Sequence, residues 1–225
     1  DSRHVQQYYK EQFKSEPAYI PYGSDVEIRP PGETLAKFGL EAGKYVLFVG
    51  RLVPENCAYH LVEAFRKMET DLKCVIVGDA PYAEEYKASL KKLAGGDPRI
   101  IFTGYEGIEA LHRREPGGTH PALVEAMAFG NCVIAHDTPE NLETIGKGEA
   151  GFFYDGQAGA DSLRQILIKL LHDSRLIQEY GAKAQQFARR HYSWDAVTDE
   201  YERLFYHTLR KPLPGRLSQT PVDAP

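Results

Sequence analysis

Gly117-Gly118-Thr119-His120-Pro121 runs straight into Ala122-Leu123-Val124-Glu125, a flexible stretch feeding the start of a helix. Two glycines let backbone amides approach a ligand closely, and Pro121 suits the first turn of a helix. Free amides there, with the positive end of the helix dipole, form a site for phosphate. Glu125 follows one turn into that helix, where two carboxylate oxygens can accept from two neighbouring hydroxyls. A phosphate site beside a diol acceptor is what a nucleoside-diphosphate sugar needs. Beyond the helix, the spacing predicts a tight turn at Gly130-Asn131 and a buried strand Cys132–Ala135.

Other apolar runs must position that block. Val46–Val49, Cys74–Val77 and Ile100–Phe102 are short and continuously hydrophobic, and they are separated by helical patterns around Ala58–Met68 and Ala83–Ala94. Hydrophobicity that does not alternate means that both faces of a sheet are covered, so the strands are parallel and lie between helices. The expected fold is α/β, a doubly wound parallel sheet of Rossmann-like type. Ligands then sit at the carboxyl ends of the strands. Gly50-Arg51, Gly78-Asp79 and Gly104-Tyr105 all fall at that edge. Asp79 is expected to cap the helix that follows it. From Asp161 to Arg210 the pattern is almost wholly helical, with a break near His191–Trp194, and Pro212, Pro214 and Pro221 then mark an unstructured tail.

Composition narrows the class. The 225 residues are 42% hydrophobic and 26% charged, as in globular proteins, and the formal charge of -5 provides no global basic field for nucleic acid or an anionic membrane. Nucleic acid is therefore not an expected partner. Three cysteines make an odd number; Cys74 and Cys132 lie in apolar runs and read as buried free thiols. No metal-ligand spacing occurs. No apolar run approaches the roughly 18 residues of a membrane helix, and a cytoplasmic location is the default.

Six blocks, taken in order, resemble the donor-binding half of the family 4 retaining glycosyltransferases of the GT-B fold. They are Tyr45–Asn56, Leu61–Phe65, Val75–Asp79, Ile101–Tyr105, Gly117–Gly146 and Tyr192–Asp195. The resemblance implies residues 1–22 as the remnant of an upstream domain and linker, and 23–192 as the nucleotide-sugar-binding domain. It implies 193–210 as a crossover helix and 211–225 as the tail. An upstream acceptor-binding domain is then missing, and the chain alone is inactive. In that crossover helix the stripe Val197, Tyr201, Leu204 and Phe205 is expected to be exposed.

The resemblance also assigns roles. Arg51, a catalytic residue with Glu125, meets the donor's pyrophosphate and stabilises the departing nucleoside diphosphate, while Glu125 holds the ribose. Gly50, Gly78, Tyr105, Gly117, Gly118, Thr119, His120 and Pro121 complete the substrate-binding set, with Thr119 equally a helix cap and Tyr105 equally a core residue. His136 lies at the last strand's end, with no role decided. No metal and no cofactor are implied, the donor itself being the nucleotide.

Three departures stand out. Asn56 occupies the position where the family offers a lysine, so it is an uncharged candidate ligand. Its Pro-Glu-Asn context is similar to that of members transferring deoxysugars such as rhamnose. Gly117 stands where the family has a first glutamate, for which Glu115 is a substitute. Finally, Glu106–Pro116 is too short and polar for the helix and buried strand the family has there, so residues are absent or deleted. The alternatives are a non-catalytic nucleotide-sugar-binding relative, a sugar-nucleotide epimerase, and a dehydrogenase, the last disfavoured because no Gly-x-Gly-x-x-Gly follows a strand. Full enzymes of this kind can also attach peripherally to the inner face of the membrane.

Overall fold

The chain is described by a computed structural model covering residues 2–25, 34–104 and 121–218. It divides into two compact units, one built from 1–28, 118–154 and 173–225 and the other from 29–117 and 155–172.

The second of these units carries a parallel three-stranded sheet. Its strands are β1 (Tyr45–Val49), β2 (Lys73–Val77) and β3 (Ile100–Thr103), with β2 in the middle. Register runs Tyr45 to Lys73, Val49 to Val77 and Cys74 to Ile100. Cys74, Val75, Ile76 and Val77 are fully buried, which is why β2 reads as an unbroken apolar run. Alternation sends Val75 and Val77 to one face, where they pack with Leu40, Leu35 and Phe38 beside the short helix α2 (Thr34–Lys37). Cys74 and Ile76 point to the opposite face, and α3 (Ala58–Arg66) packs against β2. Both faces of this sheet are covered, as expected. β1 and β3 are less buried than β2, and Leu47 of β1 is exposed. Helix α4 (Glu84–Ala94) packs on α3, and Arg66 of α3 donates to the Leu93 carbonyl at 2.8 Å. Arg99 fixes the entry to β3: it chelates Asp97 at 2.7 Å and 3.0 Å and donates to the carbonyl of Met68 at 2.7 Å.

The other unit opens with α1 (Arg3–Phe13), capped by the Ser2 hydroxyl, and its centre is α5 (Pro121–Ala128). Two short parallel strands follow, β4 (Ile134–His136) and β5 (Phe152–Tyr154), and between them lies α6 (Pro139–Thr144), capped by the Thr138 hydroxyl. Helix α7 (Ala160–His172) returns to pack on α3 in the three-stranded unit. Then α8 (Ser174–His191) packs on α5, and α9 (Trp194–Thr208) ends the helical run. The core joins Val124, Met127 and Ala128 of α5 to Val133, Ala135, Ile145, Ala184, Phe187 and Tyr192. The chain at Tyr22–Ser24 meets the Tyr192–Asp195 block: the Ser24 amide donates to the Tyr192 carbonyl at 2.6 Å, and the Tyr22 ring sits 5.6 Å from that of Trp194.

Several expectations need correcting. Among the described residues the strands form two parallel sheets rather than one, and the short segment 106–116 lies outside those residues. The last predicted strand begins at Ile134, not Cys132, leaving Cys132 half-buried ahead of it; only Cys74 is a fully buried thiol. Asp173 breaks the helical region by accepting from the Arg175 amide at 3.0 Å. In the stripe expected on α9, Tyr201 and Phe205 are exposed, but Val197 is buried. The stretch read as tail folds back as far as Ser218: Leu217 is buried, and Arg216 pairs with Asp199 at 2.7 Å and with Glu202. Residues 219–225 lie outside the described residues.

Candidate functional site

In the three-stranded unit, backbone geometry at the strand ends is dictated by one close approach. A Cβ on Gly78 would lie 1.8 Å from the Gly50 carbonyl oxygen, and Gly78 has φ +147°. Only glycine meets both conditions. The Gly50 amide donates to the Val77 carbonyl at 3.1 Å, and the Leu52 amide to the Asp79 carbonyl at 3.4 Å. The β1–β2 pairing thus extends past the strand ends and carries Arg51 between two anchored neighbours. Leu52 is buried, while Arg51 is exposed.

The loop then closes on itself. The Val53 amide donates to the Arg51 carbonyl at 2.9 Å, and a single 3-10 turn, Pro54–Asn56, follows. Asn56 reaches back, its Nδ2 donating to the same Arg51 carbonyl at 2.8 Å. Cys57 takes a left-handed conformation, φ +53°, and hands the chain to α3. The Cys57 thiol is held above its usual value, first by burial.

Asp79 does not cap α4, whose N-cap is Ala83. Its Oδ1 accepts instead from the Ala80 amide at 2.7 Å and from Lys87 Nζ at 2.6 Å. The lysine, first among the causes, holds the Asp79 carboxyl below the usual carboxylate range. The Lys87 partnership has no sequence signal, because it joins a loop to the second turn of the next helix.

In the other unit, Pro121 begins α5 as expected, and Glu125 is half-buried one turn later. The helix ends at Ala128 and a turn follows at Gly130, and Gln185 of α8 donates to the Ala128 carbonyl at 3.2 Å. His136 ends β4 with its ring 5.3 Å from that of Tyr154. Tyr105, Glu115, Gly117, Gly118, Thr119 and His120 lie outside the described residues. The structure therefore gathers Gly50, Arg51, Asn56 and Gly78 in one unit and sets Pro121 and Glu125 in the other.

No group of three or more metal-ligating side chains occurs among the described residues. No helix among them is long and apolar enough to cross a membrane.

Parallel strands ended by glycine, with an exposed arginine held at their carboxyl edge, define a Rossmann-like α/β architecture. Residues 33–187 match the model of the glycosyl transferases group 1 family, and the chain belongs to that family. It is 27% identical over 176 residues to an uncharacterized glycosyltransferase of Methanocaldococcus jannaschii, covering 70% of this chain and 44% of that protein. It is 28% identical over 203 residues to the phosphatidyl-myo-inositol mannosyltransferase of Mycolicibacterium smegmatis, covering 85% of this chain and 52% of that protein. The chain thus spans about half the length of these relatives. Among solved structures, Anabaena Alr3699/HepE in complex with UDP matches with a TM-score of 0.78 and 20% identity, over 93% of this chain and 62% of that one. That likeness establishes the fold, which is that of the GT-B glycosyltransferases.

Proposed function

We propose that this chain is the donor-binding part of an enzyme that moves a sugar, with retention, from a nucleoside-diphosphate sugar to an acceptor. The observation that carries the proposal is Arg51. Its side chain is exposed, while the backbone on either side is anchored to the end of β2. A planar guanidinium fixed at a strand's carboxyl end suits a diphosphate, whose charge it can meet through paired hydrogen bonds.

The roles follow from the chemistry. As the nucleoside diphosphate leaves the anomeric carbon, negative charge builds on its phosphate oxygens, and Arg51 stabilises that charge. Glu125 takes the ribose hydroxyls. The Gly117–Thr119 backbone, with His120, Tyr105, Gly50, Gly78 and Pro121, completes the donor set. An acceptor hydroxyl attacks on the face the diphosphate leaves. No residue of this chain is assigned to the acceptor. No metal is assigned a role, and no resident cofactor is needed. Pro-Glu-Asn at 54–56 favours a deoxysugar such as rhamnose as the transferred group. A place in polysaccharide assembly, in the cytoplasm at the inner face of the membrane, belongs to the same reading. Family membership does not favour the epimerase or dehydrogenase alternatives.

Calorimetric titration of the folded chain with UDP, dTDP, GDP and ADP, without added metal, tests this reading. Selective binding of one of them, abolished by Glu125→Ala, is the expected result. A folded chain that binds none of the four would overturn it.

A further inference from the structure

The loop after β1 holds the amides of Gly50 and Leu52 and the carbonyl of Arg51, yet no second cation occurs in the loop sequence Arg51–Cys57. Gly50 and Leu52 are tied to Val77 and Asp79. The Arg51 carbonyl accepts twice, from the Val53 amide at 2.9 Å and from Asn56 Nδ2 at 2.8 Å. The same Asn56 amide lies across the strand end, where a Cβ on Gly50 would approach its Nδ2 to 3.6 Å. The side chain therefore folds back over the loop's stem.

We infer that Asn56 is a positioning residue for Arg51: its side-chain amide clamps the Arg51 carbonyl and so fixes the direction in which the guanidinium leaves the loop. The inference rests on the donor-site reading above. A carbonyl accepting two hydrogen bonds holds the peptide after Arg51, and with it the backbone from which the Arg51 Cα–Cβ bond leaves the loop. Without the clamp, that peptide keeps only the Val53 contact at its carbonyl and the longer 3.4 Å bond from the Leu52 amide to Asp79, a looser hold. The ordering is then paid at each binding event instead of being built in, which weakens binding without removing a contact to the ligand. Asn56 thereby improves the use of the one cation the loop holds.

A double-mutant cycle in diphosphate affinity separates this role from direct contact. The chain, Asn56→Ala, Arg51→Ala and the double variant are each titrated with whichever of UDP, dTDP, GDP or ADP the unchanged chain binds most tightly. Asn56→Ala is expected to weaken binding by about threefold to tenfold, the worth of one neutral hydrogen bond. In the Arg51→Ala background the same change is expected to alter affinity by less than about twofold, because nothing remains to be aimed. Hydrogen exchange gives a second readout that needs no ligand: the Val53 amide should exchange faster in Asn56→Ala, with the thermal midpoint within about 2–4 °C of the unchanged chain. Equal losses in both backgrounds would mean that Asn56 touches the ligand itself, and would overturn the inference while leaving the donor site standing. No loss in either background, or unchanged Val53 exchange, overturns it as well. Failure of the unchanged chain to bind any of the four sinks the donor-site reading and this inference together.

Discussion

Gly78 and Gly181 are the same steric device set in two surroundings. A Cβ on Gly78 would lie 1.8 Å from the carbonyl oxygen of Gly50, and a Cβ on Gly181 would lie 2.3 Å from that of Gly130. In both places one backbone presses on another. At Gly78 the contact brings two strand ends together beneath an exposed arginine. At Gly181 it seats α8 on the turn that ends α5, beside the buried side chains of Met127, Ala128, Ala184 and Phe187. The first contact shapes a surface loop and the second a core. A close approach between backbones is therefore no signature of function by itself. What distinguishes Gly78 is what the approach leaves exposed.

Single methyl groups break the two contacts in different ways. Gly78→Ala should have the largest effect, because it combines the clash with a φ of +147° that alanine avoids. A loss of about 3 kcal/mol or more in urea-induced unfolding is expected, with loss of diphosphate binding in whatever fraction stays folded. Gly181→Ala comes next, at about 2 kcal/mol. Its sign is the informative part: in an unobstructed helix, alanine for glycine stabilises by up to about 1 kcal/mol. A stabilised Gly181→Ala variant would show that α8 does not press on the Gly130 turn. A smaller effect compares two side-chain amides, since Gln185 caps the Ala128 carbonyl at 3.2 Å much as Asn56 clamps that of Arg51. Gln185→Ala should cost about 1 kcal/mol of stability, read from the unfolding midpoint, through the exposed end of α5.

Sequence patterning made the first region more legible than the second. The runs at Val46–Val49 and Cys74–Val77 are long enough, and buried enough on β2, for continuous hydrophobicity to signal parallel strands. Gly-Arg and Gly-Asp at their ends then marked the edge where Arg51 stands. The β4–β5 pair is harder to read, because three-residue strands carry too little pattern to fix their bounds: the apolar run starts at Cys132, two residues before β4 does. Asp173 was hidden for a different reason. A cap acts through one hydrogen bond, and the apolar periodicity continues past it on both sides. The Asn56 clamp was invisible because residue type gives the hydrogen-bonding capacity of an amide but not its direction. The fold class came from periodicity, which sums over many residues; the site's internal geometry came from single bonds, which do not sum.

Asp79 offers the finest test of how far the strand-end loop depends on its surroundings. Its carboxylate accepts from Lys87 at 2.6 Å and from the Ala80 amide at 2.7 Å, next to the carbonyl that holds Leu52. Lys87 and the Ala80 amide hold its carboxyl below the ordinary value of 3.8. A carboxyl depressed on folding adds stability that is complete above its unfolded value and is lost as the pH falls through the folded one. Lys87 is raised above 10.5, with Asp79 and Glu84 as the leading causes, so its share is complete below 10.5 and is lost as the pH rises through the folded value. The pair is therefore at full strength between these limits. Because the pair is open to solvent, the contribution is small and falls with added salt. Asp79→Asn should lower stability slightly at pH 7, read from urea-induced unfolding, and the difference should shrink as the pH falls through the folded value of Asp79. If Asp79→Asn also weakens diphosphate binding, the ion pair supports Arg51 through the Leu52 anchor; if binding is unchanged, the Gly50–Gly78 approach and the Asn56 clamp are enough to hold the loop.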